Sequence, residues 1–305
     1  MNEKRVHMIV PILQALLVTF LWSTSFIIIK WGLNEIHPIT FAGLRYFIAF
    51  LCFIPFYLKP KYLNEVKSLS GRQWRNLFIL GVVFYTLTQG TQFLGLSLLP
   101  AVTVSLMLNF TPLVVALVGI PLLNEKPDLT QWIGALIFIS GVLFYFFPVS
   151  FEGSRGLGLL VMTFGVFANA ASAIFGRGMN RTKQISVLTI TFISMGVGSL
   201  LLLVIGLGLE GIPEISMKNW LFLLWLAGIN TAFAFTLWNH TLRSLSAVES
   251  SIINGTMLIQ IAVLAWIFLG ESITLHEGIG MFIAAIGAIL VQTRRKAVMK
   301  RNTDV

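Results

Sequence analysis

The chain has 305 residues, 56% of them hydrophobic and only 11% charged, where a soluble domain carries about 25% charged residues. With 21 basic and 12 acidic side chains it cannot clothe a water-soluble globule of this size, so the solvent for most of its surface is lipid. The net charge of +9 does not point to nucleic acid, because the basic residues sit between long uncharged runs rather than along one stripe. The lone Cys52 and four scattered histidines exclude a disulfide framework and argue against a metal centre.

A helix needs roughly 20 apolar residues to cross about 30 Å of hydrocarbon. In chain order the sequence offers ten such segments, at 8–29, 38–58, 76–98, 101–123, 129–147, 156–175, 187–209, 219–242, 246–269 and 274–293. The first follows Lys4 and Arg5 as a signal peptide would. Its 24-residue uncharged run from Val6 to Ile29 is longer than a usual signal core and lacks a clear small-x-small cleavage site, so it reads as a retained helix. The third and fourth share a single 49-residue uncharged run, Asn76 to Asn124, and break at Pro100. The runs are continuously apolar and not alternating, which disfavours a β-barrel. The expected class is an all-α integral membrane protein with ten transmembrane helices.

Orientation follows from Lys and Arg in the loops. With the N-terminus inside, seventeen basic residues fall on the cytoplasmic side, five of them in the tail at 294–305, against Lys30, Arg155 and Lys218 outside. Both termini are therefore expected in the cytoplasm, and the tail is read as a basic cytoplasmic extension.

The two halves resemble each other at a spacing of about 145 residues. Asn124-Glu125, Asp128, Gln131, Ile133-Gly134 and Gly141 are matched 146 residues later by Gly270-Glu271, Thr274, Glu277, Ile279-Gly280 and Gly287, and Asn109-Phe-Thr111 aligns with Asn254-Gly-Thr256 after a slip of one. Each repeat, 8–147 and 156–293, holds five spans, an odd number, so the second enters the membrane from the opposite side. Inverted repeats of this kind underlie alternating access in many secondary transporters.

Trp22-Ser-Thr-Ser near the start, Pro38 followed by Leu44-Arg45-Tyr46, and a Glu-containing turn leading into Ile-Gly in each half together resemble the EamA branch of the drug/metabolite transporter superfamily, from about residue 10 to 293. The resemblance implies ten helices, cytoplasmic termini, a central cavity between the repeats lined by spans one, three, four, six, eight and nine, and export of small metabolites such as amino acids.

Several side chains carry two readings. Asp128-x-x-Gln131, Thr274-x-x-Glu277 and Ser246-x-x-Glu249 have capping-box spacing at helix starts. Glu125 and Glu271, three residues earlier, serve structure or gating. Arg45 is the one charge well inside a span, where translocon scales place the cost at about 2.5 to 3.5 kcal/mol. It is either an anchor or an anion-facing residue. Asn109 and Asn254 lie near the middle third of the bilayer and need partners in the bundle, either a substrate or a neighbouring helix. Pro112 frees a carbonyl and is expected to kink span four. Trp22 and Ser25, Tyr85, Gln89 and Gln92, Asn169, and Trp238 with Asn239 complete the cavity candidates.

The sequence holds no phosphate loop, no paired-histidine zinc motif and no Gly-x-Ser-x-Gly elbow. An intramembrane enzyme is thus the weaker rival, and neither a cofactor nor a metal is expected. No carboxylate lies deep in a span, which favours facilitated diffusion or exchange over proton coupling. The expected partners are a small-molecule substrate and the bilayer, with a homodimer allowed and no nucleic acid. The substrate is read as an amino acid or related amphipathic solute, with a drug or lipid-like amphiphile as the alternative.

Overall fold

The computed structural model describes residues 3–123, 129–147, 153–182, 184–242, 244–245 and 247–292. All regular structure among them is helical. Span one is α1 (Glu3–Gly32) and span two α2 (Pro38–Tyr57), followed by a short amphipathic helix, α3 (Pro60–Lys67), absent from the sequence reading. Span three runs as α4 (Gly71–Leu80), a π-helical stretch (Gly81–Gln89) and α5 (Gly90–Leu98). It begins five residues before the expected start, where Ser70 and Gln73 form a reciprocal capping box.

Span four is broken into α6 (Ala101–Leu108) and α7 (Thr111–Leu123), and span five is α8 (Leu129–Phe146). The second repeat supplies α9 (Gly153–Arg181) as span six and α10 (Val187–Glu210) as span seven. Span eight is α11 (Met217–Ala227), a second π stretch (Gly228–Phe233) and α12 (Ala234–Thr241), and spans nine and ten are α13 (Ala247–Leu269) and α14 (Leu275–Gln292). Eight of these helical spans are long and apolar enough to cross a bilayer, with two shorter apolar helices at Ala101–Val115 and Leu275–Val291. The protein is an all-helical, multi-pass membrane protein.

The inverted duplication is visible in how the helices pair. Span two packs on span seven, its repeat counterpart, and span five on span ten. Span one packs on spans eight and nine, and span six on spans three and four, which is the same pairing seen from the other repeat. The crossing of α8 and α14 shows the two-fold at residue level. Gly134 abuts Gly287 and its neighbours, while Gly141 abuts Gly280, so each glycine meets the repeat-mate of the other. A Cβ on any of the four would run into the facing backbone, and small residues let the two helices touch where lipid offers no hydrophobic drive. The π stretches also fall at equivalent places in spans three and eight.

The two ends of the bundle are packed differently. At the end where α1 finishes, Ile36, Phe41, Phe93, Leu96 and Leu99 are all within 1% of full burial and belong to the main core. At the end where α1 begins, the core splits into separate clusters. One gathers Leu77, Leu80, Ile185, Ile190 and Ile193, the other Ala15, Leu245 and Ile253.

Candidate functional site

The break in span four follows from Pro112. Its ring has no N–H for the Leu108 carbonyl one turn earlier, and the chain turns at Asn109 and Phe110 before restarting at Thr111. The Asn109 side chain turns its amide back onto the Ser105 carbonyl at 2.8 Å, which leaves its own oxygen available. The expected kink is therefore a two-residue turn, across which Asn109 and Phe110 still donate to the Ser105 and Met107 carbonyls and Val114 to that of Phe110. Its neighbours Thr111 and Pro112 stand at the start of a half-helix.

This break forms one wall of a central cavity of about 370 Å³. Of the expected residues, Trp22, Ser25, Gln89, Gln92, Asn109, Asn169 and Asn254 line it, together with Arg45. Apolar and aromatic lining comes from Phe26, Tyr46, Phe235, Met257 and Ile261. Spans one, three, four, six, eight and nine contribute, and so does span two through Arg45 and Tyr46, which the resemblance had not included.

The polar groups are held by side-chain hydrogen bonds. The Tyr46 hydroxyl donates to the Gln89 amide oxygen at 2.6 Å, which leaves the Gln89 amide nitrogen as a donor. The Asn169 amide donates to the Thr111 hydroxyl at 3.1 Å and so ties span six to the broken segment. The Trp22 indole donates to the Asn230 carbonyl at 3.1 Å, and the Asn230 amide donates to Ser25 at 2.8 Å and also to the Leu21 carbonyl. Asn230, fully buried on the second π stretch, thus clamps span eight to span one behind the cavity wall. On the same stretch Thr231 donates to the Leu226 carbonyl at 2.8 Å and accepts from Arg45 Nε at 3.2 Å. π turns recur at functional sites because the extra residue re-aims side chains, and here one aims a hydroxyl at the buried guanidinium.

The EamA-like transporter family model matches this chain twice, at residues 9–147 and 156–293. The chain belongs to the EamA-like transporter family. A "Probable amino-acid metabolite efflux pump" of Salmonella typhimurium is 26% identical over 292 residues, covering 91% of this chain and 90% of the relative. The "Uncharacterized transporter YoaV" of Bacillus subtilis is 22% identical over 292 residues, covering 93% and 97% respectively. A crystal structure shares the fold with a TM-score of 0.65 at 16% identity, covering 92% of this chain and 96% of the other. A membrane transporter of this family is not an enzyme, which closes the rival class.

In this EamA-like transporter a second cavity, of about 520 Å³, meets the central one at Asn169, which lines both. Tyr85 lines this second space and is absent from the central lining, where its ring instead packs against Tyr46 at 5.4 Å. The second cavity runs between spans three, six and seven to the exposed Arg177 and Asn180, at the end where the core is split. Trp238 packs against Trp22 with centroids 5.3 Å apart, outside the central lining. Glu125 lies outside the described residues, as do Asp128, Ser246, the tail at 294–305 and the side chain of Asn239.

At the other end Glu271 accepts from the backbone N–H groups of Ala101 at 2.7 Å and Val102 at 3.3 Å. It thereby caps the N-terminus of α6, whose dipole and orphan donors favour an anion, and Lys30 lies within its electrostatic reach. Two further glutamates make comparable ties that the sequence reading missed. Glu65 on α3 accepts from the Ser186 backbone N–H at 2.5 Å and hydroxyl at 2.8 Å and from the Thr189 hydroxyl at 2.7 Å, at the start of α10. Burial pushes the Glu65 carboxyl up, but these hydrogen bonds outweigh it and hold it below the usual carboxylate range. Glu35 is likewise held low by hydrogen bonds from Ser216 and Asn219 at the start of α11. In all three cases a glutamate of one repeat caps a helix of the other. The expected box at Thr274 and Glu277 is present, with Thr274 N–H donating to Glu277 at 2.9 Å and Glu277 N–H to Thr274 at 3.2 Å.

Proposed function

We propose that this transporter exports a small metabolite, an amino acid or a close chemical relative, from the cytoplasm by alternating access. The observation that carries the reading is the central cavity between the inverted repeats, separated by Asn169 from a second cavity at one end and covered by the buried apolar layer and Glu271 at the other. Two pseudo-equivalent halves can exchange which end is open without new contacts being invented. A lining of amides, hydroxyls and aromatic rings suits a small amphipathic solute, and two relatives, of Salmonella typhimurium and Escherichia coli, bear the name of probable amino-acid metabolite efflux pumps.

The loop charges support a cytoplasmic assignment for the end that carries Arg177, Lys67, Arg72 and Arg75. On that assignment both termini are cytoplasmic, the cytoplasmic membrane is the site of action, and the described state is open inward. Among the described residues the cavity lining contains no carboxylate, so the reading includes facilitated diffusion or exchange without a proton carrier in the central cavity. Untargeted comparison of metabolites exported by cells with and without the protein identifies the solute, and counterflow of that solute in liposomes tests the mode. Counterflow is expected with and without a pH gradient. Strict dependence on the gradient overturns the uncoupled mode, and no solute difference between the cells overturns export.

A further inference from the structure

Arg45 is the only charged side chain among the described residues of the central lining. It is 4% exposed and sits eight residues into α2, roughly 10 Å from the start of that helix. Its Nε is satisfied by Thr231, and its face lies 5.2 Å from the Tyr46 ring centroid. The two terminal guanidinium nitrogens make no hydrogen bond or ion pair with the described residues. A buried guanidinium placed for structure alone is ordinarily closed by a carboxylate or by several carbonyls. Here one neutral hydroxyl holds the inner edge, and the fork that can bind a carboxylate bidentately is left toward the cavity.

The rest of the lining completes a site for such an anion. Thr111 and Pro112 stand at the N-terminal end of the 13-residue α7, whose dipole favours negative charge, although Pro112 has no N–H to offer and the Val114 N–H is already held by the Phe110 carbonyl. The Gln89 amide nitrogen is turned outward by the Tyr46 hydrogen bond. Among the described lining residues no acidic side chain competes for the cation. The apolar surfaces of Trp22, Phe26 and Phe235 suit an uncharged body attached to the anion.

We infer that the central cavity reads a carboxylate, with Arg45 as its specificity-determining residue, and that the transported solute is a monocarboxylate or an amino acid held by its carboxyl end. This rests on the transport reading above and narrows its substrate class. Thr231 is a positioning residue, because it reaches the solute only through Arg45.

The test separates binding from transport. The purified full chain in nanodiscs is titrated with L-phenylalanine, L-leucine and benzoate and with the carboxamide of each, and thermal stabilisation gives each affinity. The expected result is that at least one acid binds about tenfold or more tightly than its amide, the difference between a charge-assisted and a neutral hydrogen bond. In Arg45→Gln that preference collapses toward unity while amide binding is retained, and Arg45→Lys keeps part of it. The wild-type preference is informative even if the Gln variant folds poorly. Equal binding of acid and amide by the wild type, binding of neither, or an unchanged preference in Arg45→Gln overturns the inference. Counterflow of the same compounds in liposomes reads transport separately, so acid-selective binding without counterflow removes the transport reading and leaves the carboxylate site standing.

Discussion

Spans four and nine occupy equivalent places in the two repeats and carry the same Asn-x-Thr at mid-membrane, yet one is broken and the other continuous. Asn109-Phe-Thr111 is followed by Pro112, whereas Asn254-Gly-Thr256 is followed by Met257, which keeps its N–H. Accordingly α6 ends at Leu108 and α7 begins at Thr111, while α13 runs from Ala247 to Leu269 without interruption. Both segments line the central cavity. The duplicated scaffold is symmetric, as the α8 and α14 glycines show, but the cavity it encloses is not. Among the described residues of the lining, the first repeat alone presents a half-helix start to the solute and alone supplies a cation, Arg45, beside it. One proline therefore separates a symmetric rocking frame from an oriented binding site.

Exchanging the two residues tests that difference. Met257→Pro in the continuous helix is expected to have the largest effect, a loss of about 3 kcal/mol or more of stability from the missing hydrogen bond and the ring clash. Unfolding of the purified protein in detergent, followed by circular dichroism, measures it; a variant as stable as the wild type shows that span nine is not a regular helix there. Pro112→Met returns an N–H to span four. The fold is then expected to be unchanged or slightly more stable while transport falls roughly tenfold, the equivalent of about 1.4 kcal/mol of solute stabilisation. Undiminished export by the Met variant removes the break from the mechanism.

The smallest expected effect concerns the ends of the spans. Because the Glu65 carboxyl is held below its unfolded value, its tie to α10 contributes stability above pH about 4.3 and loses it as the pH falls through the lower folded value. Melting temperatures of the wild type and Glu65→Gln measured from pH 7 to pH 3 should differ at neutral pH and converge at the acid end. A constant difference across that range contradicts the tie.

Much of the architecture was legible in the sequence because lipid enforces it. A continuous apolar run has to be a helix, and Pro100 and Pro112 mark its breaks by chemistry that no neighbour can undo. The cavity candidates were legible as polar side chains in apolar runs, since each needs a partner inside the bundle. Which of them face one another was not. An almost wholly apolar helix has little amphipathic signal, so spacing could not separate Asn109 at the cavity from Asn230 in its clamp on span one, nor Trp22 in the wall from Trp238 behind it. The two π stretches also left no clear mark, because they arise where span three meets span seven and span eight meets span two, and packing decides them rather than local propensity. The glutamate ties of Glu35 and Glu65 depend on residues more than a hundred positions away.

The central claim is that the end capped by Glu271 and the end reached through Asn169 open in alternation. It is tested most directly by spin-label distances in a Cys52→Ser background, with one pair at Ser97 and Ser272 beside the Glu271 cap and another at Asn180 and Thr191 across the second cavity. Glu271→Gln weakens the charge-assisted cap on α6, and the account predicts that the first distance lengthens as the second shortens. Distances that stay fixed, or that lengthen together, contradict it.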